Sequence, residues 1–229
     1  MQVKQLIAAL ALGIAFVVPA HAAQIFSSAD ISGGLVQNFD DAGSYDTSGS
    51  RVQIGNSLGV DLGLSSAGGP SIFSAPAWTL SGNGEWSLGK TFVGVDGAFQ
   101  DEASGIAASL FFDFGAKTVQ SVGAFLNYDP SFTYGLGFPL PLYIAAYDAL
   151  GALIEDAWIN IDTPNALNDG LFFGLDVGSA IISKFEISAP YAVVDDFTFS
   201  NPVPEPESLA LLLAGLGILG AVSRKRCTV

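Results

Sequence analysis

Chemistry in a chain so poor in histidine and cysteine has to be carboxylate chemistry. The only His is His21 and the only Cys is Cys227, one near each end. A Ser-His-Asp triad, a Cys nucleophile and the usual zinc, copper or haem ligand sets are therefore beyond the reach of the interior. What survives is glycoside cleavage by an Asp/Glu pair or an oxygen-ligand metal site. Adjacent acids stand at Asp101-Glu102, Glu155-Asp156 and Asp195-Asp196. Neighbours on a strand point to opposite faces, so none of these pairs can by itself set two carboxyls roughly 5 to 9 Å apart across a cleft. Solvated acidic turns are the plainer reading, and no catalytic residue is assigned.

For a metal, the donors in excess are hard oxygens, which suit calcium. No D-x-D-x-D-G loop is present, and the candidate ligands are Asp40 and Asp41 near the start with Asp195 and Asp196 near the end. They would converge if the first and last strands lie side by side. No other cofactor is expected, since neither GxGxxG nor a Walker A pattern occurs in a strand-turn-helix setting. For carbohydrate contact, aromatic rings can stack on sugar rings while polar groups fix orientation. The segment from Tyr128 to Pro141 is an aromatic loop held by prolines, and Tyr128, Phe132 and Tyr134 are its candidate contacts. Trp78, Trp86 and Trp158 are further candidates, but for them the reading as core or hairpin aromatics is favoured, because such large rings are mostly buried.

The elements that must position these residues read as strands. Of 229 residues, 50% are apolar and 13% charged, enough for one domain with a substantial core. Apolar, β-prone runs recur at 106–114, 119–127, 142–149, 153–161, 171–177, 181–188 and 192–200, separated by Gly and Pro turns. Weaker strand signals lie at 51–54 and 58–62 within a Gly/Ser-rich stretch. Over the last strand, Asp195, Phe197 and Phe199 are expected on one face and Asp196 and Thr198 on the other. No amphipathic helical window stands out, no repeat of fixed period appears, and turns every eight to twelve residues or so predict a single β-sandwich of jelly-roll type. The net charge is -14, from 22 acidic and 8 basic residues, which argues against a nucleic-acid partner.

Both ends read as addresses. Lys4, the apolar run from Leu6 to Val18, and Ala20-His21-Ala22 form a signal peptide over 1–22, with cleavage expected between Ala22 and Ala23 by signal peptidase after Sec export. At the other end Pro202, Pro204 and Pro206 hold an extended segment over 201–207. An apolar run follows over 208–223, about 21 Å long as a helix at roughly 1.5 Å per residue over its apolar part, a marginal membrane span. Arg224-Lys225-Arg226 in the tail at 224–229 then favours the cytoplasmic side, leaving residues 23–200 outside. His21 and Cys227 both leave with these segments, so no disulfide can staple the domain.

Val203-Pro204-Glu205-Pro206, the apolar run with Gly215, Gly217 and Gly220, and Arg224-Lys225-Arg226 together resemble the PEP-CTERM sorting tail of Gram-negative bacteria. The resemblance implies export, brief anchoring in the inner membrane, and cutting near Pro204-Glu205-Pro206 by an exosortase-type membrane protease. Similar proteins occur beside exopolysaccharide machinery and end on the cell surface or in the matrix. Phe39-Asp40 and Val194-Asp195-Asp196-Phe197-Thr198-Phe199 are similar to the sandwich ectodomains found ahead of such tails, which resemble carbohydrate-binding jelly rolls. The expected role is a non-catalytic surface or matrix component, adhesive or exopolysaccharide-binding. A carboxylate glycosidase and a self-associating structural protein are the alternatives.

Overall fold

The structure, a computed structural model, describes residues 22–40, 50–67, 72–75, 78–86, 91–95, 97–100, 106–132, 140–163 and 166–204. Among them the chain is all-β. Its strands are β1 (Ala23–Ile25), β2 (Leu35–Gln37), β3 (Val52–Gln53), β4 (Gly63–Ala67), β5 (Ile72–Ala75), β6 (Trp78–Thr79), β7 (Glu85–Trp86), β8 (Phe92–Val95) and β9 (Ser109–Asp113). There follow β10 (Lys117–Thr118), β11 (Ser121–Asn127), β12 (Leu142–Tyr147), β13 (Leu153–Ile159), β14 (Leu167–Asn168), β15 (Leu171–Asp176), β16 (Lys184–Ser188), β17 (Val193–Phe199) and β18 (Val203–Pro204). Only short 3-10 turns interrupt them.

Two large antiparallel sheets make a sandwich. The first has the order β1-β15-β11-β17-β8-β5, with β2 also on β17, and the second the order β13-β12-β16-β9-β4-β3. Alternate residues of both point into one shared core: Val122, Ala124, Leu126, Leu175, Phe197 and Phe199 from the first, Leu64, Leu110, Phe112, Ile144, Phe185 and Ile187 from the second. Period-2 patterning is what makes this possible, since it gives each strand one apolar face. Phe112 and Phe197 stack across the gap with centroids 4.0 Å apart and an interplanar angle of 12°. That stack joins the two layers.

The alternation expected over Asp195 to Phe199 does not hold. The ladder between β11 and β17 shifts register between Gly123 and Phe125, and Asp196 takes a left-handed φ of 45°. One extra residue flips the parity of the strand before it. Val194, Phe197 and Phe199 reach the core, while Asp195 falls opposite Phe125, which packs on the outer face. The run expected as a strand at 58–62 is also displaced. Asn56–Leu58 is a 3-10 turn ended by Gly59 at φ 66°, and the strand is β4, just after it.

Candidate functional site

The two outer faces of the sandwich differ. That of the first sheet is covered: Phe92, Val193 and Phe125 pack with Leu80, Trp86, Trp78 and Tyr191 from the neighbourhood of a small sheet, β14-β7-β6, and Phe172 packs with Ile25 and Ile31. A buried polar network ties this cover down. Asn127 donates to Asn168 Oδ1 at 3.0 Å and Thr163 Oγ1 at 3.2 Å, and Asn83 donates to the Tyr128 carbonyl at 3.0 Å.

On the second sheet the outward residues form rows. Register aligns Trp158, Tyr143, Ser188 and Ser109 in one row, Asp156, Ala145, Glu186, Phe111 and Ser65 in the next, and Tyr147, Lys184, Asp113 and Gly63 in a third. Trp158 is 65% exposed, and its ring meets Tyr143 at a centroid distance of 4.7 Å. Beside this pair lies a cleft of about 280 Å3 bordered by Ile106, Pro141, Glu186 and Ser188. Glu186 is fixed in place, its Oε1 accepting from Ser109 Oγ at 2.9 Å and its Oε2 from the Tyr147 hydroxyl at 2.6 Å. Partial withdrawal from water first, and then the Glu186 carboxylate, hold the Tyr147 phenol well above the ordinary tyrosine range. Tyr143 is raised as well, chiefly by desolvation and then by the charges of Asp156 and Glu186.

Cations on this face are already engaged. The Lys184 ammonium sits 4.7 Å from the Tyr147 ring centroid and 5.2 Å from that of Phe111, a cation–π arrangement. Arg51 bridges Asp61 at 2.8 Å and Asp113 at 2.7 Å, and the hydrogen bond it donates to the Asp113 carboxylate holds its guanidinium above the usual value. The two rings are tilted by 47° to one another, so it is the exposed Trp158 ring that can stack on the C–H face of a sugar, with neighbouring carboxylates to accept from its hydroxyls.

The residues singled out in the sequence are placed elsewhere. Tyr128 is 2% exposed and packs in the main core, so its ring is closed to a ligand, a correction to the aromatic-loop reading. Phe132 lies against Tyr191 and Phe99, and Tyr134 is outside the described residues. Trp86 is buried and Trp78 half-buried, as expected of core aromatics, whereas Trp158 is not. The first strand, β1, pairs with β15, and it is the three-residue β2 that lies beside β17. Even so, among the described residues no three His, Cys, Asp or Glu side chains are grouped to hold a metal. Asp40 is exposed, Asp41 lies outside the described residues, Asp195 is buried and Asp196 half-buried. Asp195 accepts at Oδ1 from the Asp196 amide at 2.7 Å.

Trp158, Tyr143, Tyr147 and Glu186 had one signal in the sequence. Tyr143 and Tyr147 stand four apart on β12, and Asp156 and Trp158 two apart on the hairpin partner. Each spacing keeps its residues on one face. Placing Glu186 beside them needs the order β13-β12-β16, which hairpin reading cannot supply.

Among the described residues no helix is long and apolar enough to cross a membrane. The signal peptide, Glu205, Pro206, the apolar run at 208–223 and Arg224-Lys225-Arg226 lie outside those residues. The PEP-CTERM protein-sorting motif matches residues 202–226. The chain thus carries the address of an exported protein sorted through a C-terminal membrane anchor and processed by an exosortase. No curated protein and no solved structure matches it.

Proposed function

We propose that the domain is a non-catalytic carbohydrate-binding module, delivered to the cell surface or matrix by its sorting tail, and that it holds polysaccharide on the open face of the second sheet. The observation that carries this reading is Trp158, largely exposed beside Tyr143 at the lip of the cleft while the opposite sheet face is covered. An exposed indole at the lip of a cleft with polar groups beside it is the arrangement that takes an amphipathic ligand such as a sugar ring. The charges around it favour neutral or amino sugars: Asp156 and Glu186 repel a uronic acid, and Lys184 and Arg51 are already engaged.

The test is affinity of the full-length chain in detergent for a neutral polysaccharide, an amino-sugar polymer and a polyuronate, with reducing ends measured in parallel. Binding to either of the first two, weaker binding to the third and no new reducing ends is the expected result. Equal binding to the polyuronate contradicts the charge argument. Reducing ends that vanish in Glu186→Gln would make the domain a glycosidase.

A further inference from the structure

The sorting motif does not begin on a free linker. Its second and third residues, Val203 and Pro204, form β18 and pair antiparallel with Thr118 and Lys117 of β10. β10 is itself anchored: the Thr118 hydroxyl donates to the Ala180 carbonyl at 2.8 Å, the Lys117 amide to the Phe114 carbonyl at 3.1 Å, and Val119 exchanges bonds with Ile182. Thr118 is buried while Val203 is exposed. The chain leading to β18 is held as well, since Ser200 Oγ accepts from the Gln120 amide at 2.9 Å and its own amide donates to the Ser121 carbonyl. The first residues of the motif are thus tied to the rim of the sandwich.

A protease reads its substrate as an extended strand, offering hydrogen bonds to the backbone edge that β10 occupies here. We infer that the β10–β18 pairing is a latch on processing: the exosortase acts on the PEP segment only after β18 has peeled away from β10. The apolar run begins at Leu209, and the chain from Pro204 to it spans at most about 18 Å. With the latch closed, the rim carrying β10 is therefore held close to the bilayer. β9 runs from Ser109, in the row of Trp158, towards this rim, so the aromatic cleft lies at the far end from the anchor. The latch rests on the sorting motif and the strand pairing alone, and stands whether or not the cleft binds sugar.

The test is a reversible lock in an exosortase-containing host. In a Cys227→Ser background, Thr118→Cys and Val203→Cys together place two thiols at paired positions in an oxidising compartment, leaving Pro204-Glu205-Pro206 intact. Tail removal is followed by immunoblot. The expected result is a disulfide in the uncut chain, processing slowed at least tenfold, and recovery to the rate of the single-cysteine variants when a reductant is added. A complementary loosening variant, Thr118→Ala, removes the bond to Ala180 and should speed processing two- to fivefold. Wild-type processing of the oxidised double variant overturns the latch. So does failure of the two thiols to join in an exported, folded chain, because residues 118 and 203 would then not be paired.

Discussion

Replacing Trp158 by Ala should separate binding from folding. A tryptophan offers about 250 Å2 of side-chain surface; with Trp158 65% exposed, roughly 160 Å2 of it faces solvent. A sugar ring laid on one face would cover about half of that, or ~80 Å2. At about 25 cal/mol per Å2 this is worth about 2 kcal/mol, a roughly 30-fold rise in Kd on truncation. The buried third of the ring sets the stability cost at no more than about 2 kcal/mol, since part of its surface is already hidden in the unfolded chain. For a domain of this size that is a fall in Tm of at most about 8 °C. Isothermal titration against the best-binding polysaccharide gives the first quantity and a thermal melt the second. Unchanged affinity in a folded Trp158→Ala variant would refute the reasoning, because no other ring on that face is so exposed among the described residues.

Three further outcomes follow from the packing. Phe197→Ala removes the ring stacked on Phe112 at the sheet interface, and a fully buried Phe truncated in this way costs about 3 to 5 kcal/mol; urea denaturation should show it as a lower midpoint. Asn127→Ala takes away the buried amide that binds Thr163 and Asn168 and the oxygen that accepts from the Tyr128 amide at 2.9 Å. The loss should be about 2 to 3 kcal/mol by the same assay. Tyr147 is the pH probe. Its folded-state pKa is raised, so its stabilisation is complete below the unfolded value near ~10 and disappears as pH climbs towards the folded value. Melts of the wild type should lose stability above about pH 10 more steeply than those of Tyr147→Phe. Equal slopes would show that neither burial nor the bond to Glu186 perturbs the phenol.

How much of this was legible depends on the range of the contacts involved. The long strands β11, β12, β13, β15, β16 and β17 follow from apolar runs ended by Gly and Pro, because period and punctuation are local. The bulge at Asp196 was hidden, since a left-handed residue in a strand leaves no mark in the pattern when it is an Asp rather than a Gly. Trp158 is a hairpin aromatic, paired with Tyr143 across β12 and β13, but its exposure was not legible because burial of a large ring is decided by which sheet face is covered. The cover over the first sheet comes from β6, β7 and β14, strands of two residues each that no periodicity can detect. Tyr128 was misjudged for the complementary reason: at the end of β11 it turns into the core and not onto a loop surface. The sorting tail was readable in full because its signal is order and spacing within one short segment, a match confirmed over residues 202–226.

The most direct measurement of the central claim uses the three tryptophans as reporters of one another. In a 1H-15N spectrum of the labelled chain, titration with a neutral or amino-sugar oligosaccharide should move the indole resonance of Trp158. Those of Trp78 and of Trp86, whose Nε1 is buried, should stay fixed. Movement of Trp78 or Trp86 with Trp158 unchanged would put the ligand on the covered side of the sandwich. A silent Trp158 under saturating sugar would contradict the account outright.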